Sequence, residues 1–435
     1  MAGQGDEYKM TTRRELFQTA LTGAAGVLVA GMPHQALAAD RLSIIAHAVH
    51  RAAATKGPGG DVTEGWREKN GGVQVEWLTF SVEATNERAF KEASLAQGNA
   101  DIVFILDRYT GPQFAGLFED LGVWQAKTPI PGFQELPHGM VSAHTFGGKL
   151  TAIPFRHATN GLHYNTDFFA ERGIPGPPGN IEQIAAYAEK LTWTRPDGGK
   201  VYGLVLSLDD PATAIDWVRA YGGEFITEDY KVVVDQPGAV RAVSVLCDLF
   251  RKGVLPKNVV NLKTEDVTTF MQQGRAAITN NPFGRYFNYN DPKASKYSGK
   301  IAVVALPAGV DGKPIPAKTS VWGMAIPANA RDKALSWSLI RHLSLPENTI
   351  AETLNGNGPV RPSAYEDPRV RDLIPYAAAE EAALASARLV VPGFANAAKA
   401  MDIFTEELSN ALLGQKEPLA AMTDVRKRVQ PLLPT

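Results

Sequence analysis

The sequence predicts an α/β protein built as two lobes. Three observations lead there. Residues 101–106 (Asp-Ile-Val-Phe-Ile-Leu) form a nearly continuous apolar run of strand length, which suits a strand covered on both faces. Strand-like and helix-like stretches alternate along most of the chain, the pattern of a sheet flanked by helices. At 435 residues the chain is too long for one ordinary core, so two domains are expected.

Taken in order, residues 42–46 read as a first strand and 47–60 as a polar, glycine-containing loop. Residues 73–77 alternate as a second strand. Apolar positions at helical spacing fill 83–95, and the buried strand 101–106 follows. Asp107-Arg108-Tyr109-Thr110-Gly111 stands at its carboxyl end, where open α/β sheets place their ligands. The stretch 148–169 reads as two strand-like halves joined by a short polar segment. We read it as a crossing between lobes, with Arg156, His157, Thr159 and Asn160 at a cleft floor.

Beyond the crossing, Asn180 caps a helix whose apolar stripe is Ile181, Ile184, Ala185, Ala188 and Leu191. Strand 201–206 runs into Asp209-Asp210-Pro211 and a helix stopped by Gly222-Gly223. Helices are expected over 237–252 and 265–273. Strand 276–279 delivers Asn280-Asn281-Pro282-Phe283-Gly284-Arg285 into a loop, a second place for ligand contacts. Strands 301–306 and 320–327, a helix over 330–343 and a turn-rich loop 356–362 containing Arg361 come next. Crossings near Phe155, Leu306 and Asp367 divide the chain into one lobe of 39–155 with 306–366 and another of 156–305 with 367–435.

Composition narrows the function. A net charge of −2 and the lack of a clustered basic patch argue against nucleic-acid binding. There is no H-E-x-x-H, no C-x-x-C and no glycine-rich phosphate loop, and His47 with His50 do not by themselves make a metal site. No cofactor, metal or catalytic residue is assigned. The single cysteine, Cys247, falls on the apolar face of a predicted helix and is expected to be buried. At the front, Arg13-Arg14 precede a modestly apolar run and Ala36-Leu37-Ala38. This resembles a twin-arginine export signal over 1–38 with cleavage after Ala38, and it implies a periplasmic protein.

The order of segments over 42–433 resembles the extracellular solute-binding proteins of carbohydrate-uptake ABC transporters, the family that includes maltose-binding protein. The resemblance implies a periplasmic-binding-protein fold, two α/β lobes joined by a hinge of about three crossings with a ligand cleft between them. It also implies a monomer that captures a carbohydrate by hinge closure and delivers it to membrane permease subunits, without catalysis. Asp107-Arg108-Tyr109-x-Gly111 matches the family's Asp-Arg-aromatic-Gly segment, and Asn281-Pro282-Phe283 parallels its Gly-Pro-Trp. Arg51 keeps the base of a first-loop pair whose acid is replaced by His50. Asp210 is similar to a cleft glutamate, while Ala212 replaces a nearby tyrosine.

The candidate ligand residues are therefore Arg51, Asp107, Arg108, Tyr109, Arg156, Asp210, Phe283, Trp322 and Arg361. Asp and Arg replace the water bonded to sugar hydroxyls, and a flat aromatic covers the apolar face of a sugar ring. A neutral sugar or polyol is the first reading. An anionic sugar, such as a uronate or a sugar or polyol phosphate, is the alternative suggested by Arg51, Arg108, Arg156 and His157. An exported cofactor-dependent or carbohydrate-active enzyme is the alternative from another class.

Overall fold

The structure, a computed structural model, describes residues 41–208 and 212–434. Strands occur in the order β1 (Arg41–His47), β2 (Gln74–Phe80), β3 (Ile102–Leu106), β4 (Thr145–Phe146), β5 (Lys149–Leu150), β6 (Ile153–His157) and β7 (Asn160–Asn165). They continue with β8 (Trp193–Thr194), β9 (Lys200–Leu204), β10 (Ala276–Pro282), β11 (Ile301–Val304), β12 (Lys318–Thr319), β13 (Val321–Ala325) and β14 (Arg388–Leu389). Ten of these make two five-stranded sheets, in the orders β2-β1-β3-β13-β6 and β11-β7-β10-β9-β8.

In the first sheet β1 runs parallel to β2 and β3, whereas β13 lies antiparallel between β3 and β6. Successive strand residues point to opposite faces, and β3 uses both. Ile102 and Phe104 join Ile44, Phe155, Met324 and Trp337 on one side; Val103 and Ile105 join Ile45, Ala89 and Ala325 on the other. The continuous apolar run of the sequence is the mark of this two-sided burial. In the second sheet β7 and β10 are antiparallel neighbours, and the helix Pro237–Arg251 packs its apolar face, with buried Cys247, into the surrounding core.

The chain passes from the first sheet to the second at residues 158–159, between β6 and β7, and returns between β11 and β13. Packing corrects the expected boundaries on either side of that return. The 306–317 segment stays with the second sheet: Ala308 bridges Asn180, and Ile315 is buried in the core around Trp217 and Val218. Residues 368–384 form the helices Pro368–Leu373 and Ala377–Leu384. Their core includes Leu136, Met140 and Val360 from around the first sheet and Phe283 from the second.

A further difference lies just after β1. Residues 48–55, read as loop, form the helix Ala48–Thr55 with His47 as its cap. Four of its eight residues are alanine, the strongest helix former, and this outweighs the histidines. Among the described residues, no helix is long and apolar enough to cross a membrane.

Candidate functional site

The carboxyl edge of the first sheet is a row of polar groups. β1 ends on His47, Asp107 follows the last residue of β3, and β6 ends on Arg156 and His157. Because β13 runs the other way, its first residue, Val321, lies at the same edge. The Asp107 carboxylate accepts a hydrogen bond from the Val321 amide at 2.9 Å, which ties β3 to β13 at their ends. Asp107–Tyr109 is a single 3-10 turn, so the predicted trio stands together. Arg108 donates from Nη2 to the Tyr109 hydroxyl at 3.2 Å, and its guanidinium lies 5.0 Å from the Tyr109 ring centre.

Asp107 and Arg108 line a crevice closed by Ser320, Val391, Pro392 and Met401. Past Leu389, Pro392 and Gly393 lies a cavity of about 900 Å³, with His138 and Thr145 on one wall and Glu224 and Tyr230 on the other.

Nearer β6, Trp322 pairs with Leu106 on one side and Arg156 on the other. Its ring is only 7% exposed, stacked 6.5 Å from His47 and edge-on to His50 at 4.6 Å. It forms the floor under His47 more than a free platform. Arg156 donates from Nη1 to the Gly356 carbonyl at 3.1 Å and to Asn357 Oδ1 at 3.2 Å, so the loop 356–357 fixes its guanidinium. Burial, then the charges of Arg156 and of Arg285, lower the His47 pKa against the opposing pull of Glu83, and the ring is neutral at pH 7. Arg285 belongs to the other sheet's loop, two residues past Phe283, whose amide donates to the Thr159 carbonyl at 2.9 Å. It follows β10 and pairs with Glu265 at 3.3 Å.

Below the edge, the chain passages are laced together. Ala158 and Ser320 exchange both backbone hydrogen bonds, at 2.9 and 3.2 Å, and β12 pairs in parallel with β14. The Thr159 hydroxyl donates to Thr319 Oγ1 at 2.8 Å. His157 contacts Thr159 Oγ1 through Nδ1 and the Tyr365 hydroxyl through Nε2, each at 3.0 Å. Glu380 lies 3.8 Å from His157 Nε2; burial pushes its pKa up to about 7 against the Tyr365 hydrogen bond and the Arg156 charge. Asp216, on the helix Ala212–Ala220, accepts from Asn160 Nδ2 at 2.7 Å, Asn280 Nδ2 at 2.9 Å and the Lys318 amide at 2.7 Å. Sequence reasoning missed Asp216, which stands between the apolar Ile215 and Trp217 and whose side-chain and amide donors lie at least 56 residues away.

Three predicted residues stand apart from this row. Phe283 is completely buried, its ring stacked on Tyr376 at 5.6 Å, so the face meant for a sugar is already occupied. The ring packs over Gly161, where a Cβ would come within 2.8 Å of it; a glycine is required there. Arg361 is also buried and acts as a brace. Its Nη1 donates to the Gly132 carbonyl and its Nη2 to the carbonyls of Pro131 and Ser344, both at 2.9 Å, and Glu135 lies at 3.4 Å. Arg51 is exposed on the helix Ala48–Thr55. Asp210 lies outside the described residues. Conversely, His47 was overlooked as a ligand residue although it ends a parallel strand, the same signal that singled out Asp107.

A profile for "Bacterial extracellular solute-binding protein" matches residues 51–350. A curated relative from Deinococcus radiodurans, "Probable ABC transporter-binding protein", is 25% identical over 326 residues, 72% of this chain and 75% of the relative. Among solved structures, maltose-bound MalE3 of T. maritima superposes with a TM-score of 0.76 at 21% identity, covering 90% of this chain and all of that one. A solute-binding protein from Agrobacterium radiobacter K84 in complex with ribitol gives 0.71 at 22% identity, covering 90% and 98%. The fold is thus that of periplasmic binding proteins, two α/β lobes.

Proposed function

Because the chain belongs to the bacterial extracellular solute-binding protein family, we propose that it is the substrate-binding component of an ABC importer, capturing a sugar or polyol and handing it to membrane permease subunits. The observation that carries this reading is the polar carboxyl edge of the first sheet, set beside laced chain passages and met by Arg285 from the second sheet. Asp107, Arg108, Tyr109 and Arg156 are the residues proposed to hold the solute, with His47 and Trp322 beside them. The bound maltose and ribitol of the two superposed proteins fit a polyhydroxylated ligand.

Several passages side by side restrict the lobes to bending and twisting about one region. A ligand touching both lobes stabilises the closed form by its differential affinity for that form. In this reading the protein is a monomer without catalytic activity. It is exported to the periplasm by the segment 1–38, which lies outside the described residues.

Calorimetric titration with ribitol, D-mannitol, maltose and related compounds tests the proposal. Saturable binding with a fall in the radius of gyration is expected. Arg108→Gln should weaken it roughly tenfold to a hundredfold, as for loss of a charged hydrogen bond. Turnover of any of these compounds would return the exported-enzyme reading to first place.

A further inference from the structure

Arg156 is a partly buried guanidinium that pairs with no carboxylate among the described residues. No described acidic group lies within ion-pair distance of it, and its hydrogen bonds to them use Nη1 alone, for a carbonyl and an amide oxygen. Nε and Nη2 find no acceptor among the described residues, and the side chain is only half-buried at the carboxyl edge of the first sheet. Arginine cannot shed its proton to relieve such a position. A buried charge left unpaired is costly, and a protein that retains one commonly pairs it with something else.

The surroundings add positive charge. Arg285 comes two residues after Phe283, whose amide donates to the Thr159 carbonyl at 2.9 Å three residues past Arg156, and its charge opposes those of Arg156 and of a protonated His47. Its own partner, Glu265, is 76% exposed and holds it through one contact at 3.3 Å. Of the acids whose charge acts on His47 or Arg156, Glu83 and Glu380 compensate little. Glu83 is exposed. Glu380 is buried, and its elevated pKa of about 7 leaves it about half protonated at neutral pH. Tyr365 and Tyr376, the other titratable groups facing Arg156, have pKa values raised by burial and are neutral. Closing the lobes on a neutral solute would therefore bring two guanidinium groups together with nothing between them.

We propose that the solute of this site is an anionic polyol or sugar, whose carboxylate or phosphate is seated between Arg156 and Arg285 while its hydroxyls meet Asp107 and Arg108. This rests on the solute-binding reading above and narrows its ligand class. A planar guanidinium with two donors aligned by the loop 356–357 suits two-point pairing with an oxyanion. The charge contributed by the second lobe makes that pairing complete only on closure.

The test is titration of the purified protein with matched pairs: D-mannitol against D-mannonate, ribitol against ribonate and ribitol 5-phosphate, with acetate and inorganic phosphate as bare anions. The acid of a pair should bind at least tenfold tighter than its neutral partner, a factor equal to 1.4 kcal/mol. Its affinity should also fall as salt is raised. The carboxylate and phosphate arms decide which anion is held. Arg156→Gln should weaken acid binding roughly thirtyfold or more, by loss of a desolvated charge pair, and should abolish the tenfold preference for each acid over its neutral partner. Arg285→Gln should act in the same direction. Neutral polyols binding as tightly as their acids, with salt-independent affinity and no response to Arg156→Gln, would overturn the anionic assignment and leave the solute-binding function standing. Failure of every pair to bind would overturn both.

Discussion

Arg156, half-buried, and Arg361, fully buried, both stand in the first sheet's surroundings, and from sequence both were ligand candidates. Their environments separate them. Arg361 delivers its Nη donors to three backbone carbonyls and lies beside Glu135, joining the loop 131–135 to the end of the helix Lys333–Leu343. Arg156 is steadied through one nitrogen, and its other donors find no acceptor among the described residues. A buried guanidinium whose Nη donors go to backbone carbonyls is a brace; one held by a single nitrogen at the edge of a sheet is poised for a ligand. The destination of the donors, more than depth, separates the two.

The comparison breaks first at Arg361. Arg361→Ala strands three carbonyls and should cost about 3–5 kcal/mol of unfolding free energy, the range for removing one partner of a buried ionic cluster. Solute affinity of the folded fraction should be retained. Denaturant unfolding beside calorimetry measures both, and a change in affinity without a loss of stability would move Arg361 back into the site.

Phe283→Ala should follow, at about 3 kcal/mol or more for an emptied aromatic core position. It too should weaken the fold more than binding. The opposite order would mean that the Tyr376 stack opens for the ligand.

Glu380 sharpens the comparison through pH. Its pKa in the folded protein, about 7, lies above the ordinary 4.5, so the folded state holds the proton more tightly than the unfolded chain. The stability from that proton is fully present below pH 4.5 and is lost as pH rises through 7, a change of about 3 kcal/mol. The neighbouring His157 works the other way. Burial holds its pKa near 3, and its contribution is lost as pH falls below 6.5. Glu380→Gln leaves His157 in place, so the difference between the two proteins isolates the carboxyl. The variant should gain relative to the parent between pH 5 and pH 8, read from unfolding curves across that range; parallel curves would reject the assignment.

The smallest effect belongs to Arg156→Gln in the absence of solute. Removing an unpaired charge should shift unfolding by less than about 1 kcal/mol in either direction. A loss as large as that of Arg361→Ala would make it a second brace.

Much of the architecture could be read in the sequence because its signals are local. The apolar run of β3, the asparagine cap at Asn180 and the polar break at 158–159 each depend on a few adjacent residues. Asp107-Arg108-Tyr109 was legible for the same reason. What escaped depends on distant partners. Arg361 meets Gly132 across 229 residues of chain, and Asp216 meets Lys318 across 102. No window of sequence distinguishes a brace from a contact when the deciding acceptor is a backbone carbonyl from elsewhere. Helix Ala48–Thr55 is a different kind of miss: its alanines were a local signal, set aside for the nearby histidines and glycines.

The antiparallel strand in the middle of the first sheet has a consequence for how the protein is made. β13 separates β3 from β6, with Met324 opposite both Phe104 and Ile153. While the chain emerges from the ribosome, β1, β2 and β3 are complete long before the strand that must join them to β6. The second sheet, whose strands all lie between residues 160 and 304, can assemble in the interval. Pairings of such long sequence separation form slowly. The first sheet therefore has its last strand synthesised after all those of the second, and until β13 arrives β3, apolar at all five positions, has one edge unpaired.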